Sequence, residues 1–284
     1  MTGTRYVGRL APSPTGLLHL GHARTFWIAA QRARAAAGVL WLRDEDLDPQ
    51  RSRADFARAM REDLRWLGIA WDAEMRQSER LIAYREGMQQ LVRRGFVYPC
   101  TCSRKDLQQA VQAPHEDDDE PIYNGRCRPD REIPASRQFL PEMNYRFQAP
   151  EGEIVSFNDG SAGSQSFIAG CEARVDFGDF VVWRRDGLPS YQLACVVDDA
   201  AMGITEVVRG RDLLRSTARQ MLLQRALGFA TPEYFHCELM RDEAGLRLAK
   251  RHDALSLRAL REAAHAPDEV IARLNLELST EPRP

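Results

Sequence analysis

No run in this sequence is apolar for long enough to cross a bilayer. The opening MTGTRYVGRL has none of the apolar core that a signal peptide carries. The two absences argue against a membrane-spanning helix and a secretory leader, so the expected compartment is the cytoplasm, with no membrane partner. No internal repeat is present, which sets aside solenoid architectures. Charge excess is also missing. The 39 Lys and Arg against 41 Asp and Glu leave a net charge of −2, so a nucleic-acid partner would need a local basic face. Lysine is almost absent: Lys105 and Lys250 are the only two, leaving 37 arginines (39 − 2). A lysine in such a chain invites a question. The six cysteines, in a reducing compartment, are expected as free thiols or metal ligands rather than disulfides.

The 284 residues are 44% hydrophobic and 28% charged, the composition of an ordinary soluble globule with room for two domains. Tyr6-Val7-Gly8-Arg9-Leu10 reads as a buried strand ended by Pro12 and Pro14. Ala23, Phe26, Trp27, Ala30 and Ala33 then recur at helical spacing, and Gly38 is expected as the C′ residue that stops the helix. Val39-Leu40-Trp41-Leu42 reads as a second strand, followed by an acidic turn, Arg43-Asp44-Glu45-Asp46. Asp48-Pro49 is expected to open the next helix as N-cap and N1. Its stripe is Phe56, Met60, Leu64 and Leu67, closed by Gly68, and a third helix carries Leu81, Tyr84, Met88 and Leu91 up to Gly95. Strand–helix–strand–helix order predicts a parallel α/β sheet.

Helical periodicity is lost after Phe96. Prolines, scattered cysteines and the acidic run at 115–120 read as an insertion holding a solvated loop. Regular structure is expected to resume with Phe180–Trp183, an Asp186-Gly187 turn and the apolar stretch Tyr191–Val197, with a helix over 213–227 closed by Gly228 and an amphipathic helical tail from Ser256.

The stretch RLAPSPTGLLHLGHAR at 9–24 places His19 and His22 where loop becomes helix. A helix start offers free N–H groups and a dipole that favours an anion. Two histidines one turn apart can both donate to phosphate oxygens, and Gly21 keeps the backbone bare between them. This run resembles the first, ATP-binding signature of class I aminoacyl-tRNA synthetases in its glutamyl-type form. The second signature of that family is a basic loop ending in lysine, and Arg247-Leu248-Ala249-Lys250-Arg251 is similar to it, with Arg247 and Ala249 as departures from K-L-S-K-R. The resemblance implies an α/β fold: a class I synthetase Rossmann-like parallel sheet with an inserted zinc-bearing domain and a short helical C-terminal region. It divides the chain into 1–97 and 179–245 as halves of the nucleotide-binding domain, 98–178 as the insertion, and 246–284 as signature loop and tail.

It also implies catalytic roles for His19, His22 and Lys250, an ATP site of His19, Gly21, His22 and Lys250, and magnesium on the nucleotide. For L-glutamate it implies Arg9, Ala11, Ser13, Glu45, Tyr191 and Arg209. The chemistry is coherent, since two guanidinium forks suit a dicarboxylate and Glu45 can accept from its ammonium.

Cys100-Thr101-Cys102 and Cys127 supply three thiolates for zinc. By residue chemistry the fourth ligand is His115 or Tyr123, with His115 the ordinary choice. The truncated members of the family, the glutamyl-Q tRNA(Asp) synthetases, place a tyrosine four residues before the last cysteine, which implies Tyr123. Only 33 residues follow Arg251 (284 − 251), too few for a helical anticodon-binding domain, and that shortness is what points to the truncated members. They attach glutamate to the queuosine base in the anticodon stem-loop of tRNA(Asp). Arg211, Arg215 and Arg219 are expected to meet its phosphates, and the protein to be a monomer. The competing readings are a short glutamyl-tRNA synthetase that charges a 3′ end, a small-molecule nucleotidyltransferase with an HxGH motif, and a non-catalytic RNA-binding relic.

Overall fold

The computed structural model describes residues 5–102, 122–123, 125–130, 138–171, 174–240 and 256–278. They fall into two compact units that the chain visits alternately. The first comprises residues 1–78, 205–210 and 237–284, and the second 79–204 and 211–236.

In the first unit, β1 (Val7–Leu10), β2 (Val39–Asp44) and β3 (Ala73–Arg76) form a parallel sheet in that order. The crossovers are α1 (Leu20–Ala35) and α2 (Ala54–Trp66), as the alternating order predicts. The α2 stripe Met60, Leu64 and Leu67 is buried. The α1 C-terminus differs from expectation. Ala37, not Gly38, takes the left-handed conformation (φ 46), and the Gly38 N–H closes the turn on the Ala33 carbonyl at 2.9 Å. Gly38 is needed for closeness instead: a Cβ there would stand 2.6 Å from the Tyr6 carbonyl oxygen.

Two further expectations are corrected. The acidic turn begins later, because β2 continues through Arg43 and Asp44, both buried. Ion pairs make that possible: Arg43 to Glu45 at 2.9 Å and Asp44 to Arg61 at 3.1 Å. Asp48 does not cap a helix. Its Oδ1 accepts from the N–H of Gln50 and Arg51, closing a short turn, and α2 starts at Ala54. Beyond these elements, β9 (Glu206–Gly210) lies against β1 and α1, α6 (Leu257–Glu262) against α2, and α7 (Pro267–Leu278) against α1.

The second unit holds the antiparallel sheet β4 (Val97–Cys100), β5 (Asn144–Phe147), β8 (Phe180–Trp183) and the hairpin β6 (Ile154–Asp159) with β7 (Gly163–Ile168). Strand β10 (Glu233–Cys237) pairs parallel to β6 at Tyr234 and Asp159. Helices α3 (Leu81–Arg93), α4 (Tyr191–Ala201) and α5 (Leu214–Leu227) pack together. Here α4 gives the apolar stretch 191–197 its form, which is helical. Ser190 caps it by accepting from the Leu193 N–H, and its apolar residues bury against α3 and α5 on more than one side. That is why no one-sided helical stripe shows. The Asp159 carboxylate holds His236 at 2.6 Å, and His236 meets Thr217 at 3.0 Å, tying β6, β10 and α5 by a fully buried polar chain. Burial pushes the Asp159 carboxyl up, but hydrogen bonds from His236 and from the N–H groups of Ala162 and Ser161 outweigh it and hold the group down at about 2.

Candidate functional site

Strand β1 ends at Leu10, and the following loop delivers His19 as the N-cap of α1, with φ −110 and ψ 171. The Gly21 N–H donates to His19 Nδ1 at 3.1 Å. Because Nδ1 accepts, the ring proton resides on Nε2, which is therefore a donor. The His22 ring lies on the His19 ring with centroids 3.7 Å apart. A side chain on residue 21 would crowd His19, its Cβ standing 3.1 Å from Cε1. The first turn of α1 carries no acidic residue, so its dipole is not neutralised from within. The chain resuming at Ser256 pairs with His19 in a β-bridge, and the Leu257 N–H donates to the Leu18 carbonyl at 2.8 Å. On the other side of that segment, the Glu238 carbonyl accepts from Arg24 of α1 at 2.7 Å. The stretch 241–255, with Lys250, lies outside the described residues, but its two flanks are tied to α1 and its cap.

Beside this helix start are the ends of β1 and β2, where parallel α/β sheets bind ligands. Arg9 and Arg209 are each 4% exposed. They sit on β1 and β9, and Arg9 Nη1 donates to the Val208 carbonyl at 3.0 Å. Glu45 follows β2, with its N–H on the Pro12 carbonyl. Its Oε1 accepts from Arg43 at 2.9 Å and its Oε2 lies 3.5 Å from Ser13 Oγ. Arg9, Ala11, Ser13, Glu45 and Arg209 thus belong to one unit, while Tyr191, the first residue of α4, belongs to the other.

The cysteine cluster is in the second unit. The sulfurs of Cys100, Cys102 and Cys127 lie within 4.8 Å of one another. Tyr123 Oη stands 3.4 Å from Cys102 and 4.0 Å from Cys100, and accepts from the Cys127 N–H at 2.8 Å. Ligands about 2.3 Å from one tetrahedral ion would be separated by roughly these distances, so the donor set fits zinc. Burial pushes the Cys127 thiol up, but hydrogen bonds from Tyr123 and Thr101 outweigh it and draw it down to about 6. Burial raises Cys102 to about 11.

Residues 6–280 match the family of tRNA synthetases class I (E and Q), catalytic domain. The chain is 45% identical over 281 residues to the glutamyl-Q tRNA(Asp) synthetase of Symbiobacterium thermophilum, covering 94% of this chain and 84% of that one. The glutamyl-Q tRNA(Asp) synthetase of Rhodobacter capsulatus is 42% identical, covering 93% and 98%. The chain belongs to the class I tRNA synthetases. It is a ligase of the glutamate and glutamine group. It also resembles the glutamate–tRNA ligase of Aquifex aeolicus, 41% identical over 94% of this chain but only 56% of that one. A crystal structure of a glutamate tRNA ligase from Elizabethkingia meningosepticum superposes with a TM-score of 0.70 at 29% identity, over 87% of this chain and 52% of that one. The chain spans about half the length of that solved relative.

For a class I synthetase the arrangement is informative in what it separates. His19, Gly21 and His22 come together as the sequence reading expects, whereas Lys250 and His115 lie outside the described residues. Of the three arginines expected at RNA phosphates, Arg219 is buried with its guanidinium over the Phe177 ring. Arg211 donates to the Ser161 carbonyl and is half-buried. Two arginines of consequence escaped the sequence reading, Arg43 behind Glu45 and Arg146 behind the cysteines. Neither stands out among 37. No described helix is long and apolar enough to cross a membrane.

Proposed function

We propose that this synthetase activates L-glutamate with ATP and magnesium and transfers it to the queuosine base in the anticodon stem-loop of tRNA(Asp). A carboxylate oxygen of glutamate attacks the α-phosphorus, forming the acyl–phosphate bond as pyrophosphate leaves. A hydroxyl of the modified base then attacks the acyl carbon, losing its proton as AMP departs. Arg9 and Arg209 receive carboxylates, Glu45 with Ser13 faces the ammonium, and Ala11 leaves room beside them; Tyr191 is assigned to glutamate by the family resemblance. The His19 Nε2–H, His22 and the α1 start hold phosphate oxygens, with Gly21 bare between them, and Lys250 neutralises charge that develops there. Magnesium supplies charge neutralisation on the phosphates. Zinc held by Cys100, Cys102, Tyr123 and Cys127 supplies a structural tie for the insertion 98–178, which is poor in apolar periodicity.

One observation carries this reading: His19 caps the first helix after β1 with His22 stacked on it, and the segment bearing Lys250 is tied at its flanks to that helix and its cap. The family names of the relatives support the acceptor. Those named glutamyl-Q tRNA(Asp) synthetase match over most of their length, and those named glutamate–tRNA ligase over a little more than half. The test is ATP–pyrophosphate exchange with a panel of amino acids and no RNA. Glutamate alone should support exchange, and Lys250→Ala should lower the rate roughly 10²-fold. Exchange with no amino acid, or an unchanged rate in Lys250→Ala, would remove the assignment.

A further inference from the structure

The cysteine cluster has a neighbour of opposite charge. Arg146, on β5, is 3% exposed. Its Nε donates to Cys100 Sγ at 3.3 Å, its Cζ lies 3.7 Å from the centroid of the Tyr123 ring, and its Nη1 donates to the Asp179 carbonyl at 2.9 Å. A buried guanidinium requires a counter-charge. Among the described residues no carboxylate pairs with Arg146, and the nearby Asp179 carboxylate is taken by Arg128 at 2.6 Å and by the Tyr98 hydroxyl. The groups left to answer its charge are the sulfur of Cys100 and the electron-rich face of Tyr123, two of the four donors assigned to zinc.

Resting on the zinc reading above, we propose that Arg146 is a positioning residue of the metal centre, the buried cation that offsets the anionic excess of its ligand set. The charges add in that way. Three thiolates around a divalent ion leave one negative charge beside the buried Cys100, and Arg146 supplies one positive charge through that sulfur. By stacking on Tyr123 it also fixes the ring whose oxygen faces Cys102 and Cys127. Groups behind metal ligands commonly set affinity by such contacts. Arg128 is the contrast, since it donates to Cys171 but is already neutralised by Asp179.

The test compares zinc dissociation constants, by chelator competition on the full chain, for the wild type, Arg146→Met, Arg146→Gln and Arg146→Lys. Both neutral variants should bind zinc roughly 10- to 100-fold more weakly, and lysine, which keeps the charge, should recover most of the loss. Melting with and without zinc separates this from packing: the gain in Tm on adding zinc should shrink in Arg146→Met and Arg146→Gln and be largely kept in Arg146→Lys. If Arg146→Met does not fold, Arg146→Gln carries the comparison. Neutral variants that bind as the wild type does, or a lysine variant as weak as methionine, would overturn the role of Arg146 while leaving the zinc site standing. A wild type that takes up no zinc would overturn both.

Discussion

His19 does two jobs that a substitution can separate. Its Nδ1 caps α1 by accepting from the Gly21 N–H, and its Nε2–H is the donor assigned to phosphate. Asparagine is a good N-cap but does not reach as far. His19→Asn should therefore keep the Tm within a degree or two while lowering the exchange rate roughly 10- to 10²-fold. A parallel loss of both would make the histidine a cap and nothing more. Ala37 makes the opposite kind of prediction. An alanine held at φ 46 is strained by about 1 kcal/mol. Ala37→Gly should raise stability by about that amount in urea unfolding, whereas no gain would mean that the extra freedom of glycine in the unfolded chain cancels it. Legibility at this scale followed chemistry. Histidines, cysteines and a rare lysine announce themselves by type and spacing. Arg43 and Arg146 do not, because their importance comes from burial beside Glu45 and Cys100, which no local pattern encodes.

Among the elements, those with one buried face were legible. The stripes of α2 and α3 and the first two strands could be read from spacing alone. Strand β3 could not, being four residues of alternating half-exposure, and α4 was hidden by burial on several sides. The tail helix α6 carries a testable device of its own. The Asp63 carboxylate of α2 is fully buried, with Arg261 of α6 at 3.2 Å. Burial, only partly offset by Arg261 and Arg258, raises the carboxyl to about 6. Its folded value thus lies above the ordinary one. The folded state binds the extra proton between about pH 4 and pH 6, and stability from this group falls as pH rises through that window. Asp63→Asn removes the titration. Its stability relative to the wild type should rise between pH 4 and pH 7, by at most about 3 kcal/mol, as read by urea midpoints. A flat difference across that range would contradict this account of Asp63.

At the scale of the molecule, the sequence order conceals the grouping. The chain leaves the first unit after Ser78, returns for 205–210 and again from 237, so residues assigned to one glutamate site come from positions as far apart as Arg9 and Arg209. Spacing could not bring these together, whereas similarity to a known family could. The parallel sheet, the stacked histidines at the start of α1 and the cysteine cluster then gave the assignment physical content. The central claim concerns the acceptor, and transfer of labelled glutamate tests it most directly. Three forms of tRNA(Asp) are compared: carrying queuosine, carrying queuosine but lacking the 3′-terminal adenosine, and unmodified with an intact 3′ end. The account predicts label on the first two and none on the third. Label on unmodified RNA that disappears when the terminal adenosine is removed would contradict it, and would make this chain a synthetase that charges 3′ ends.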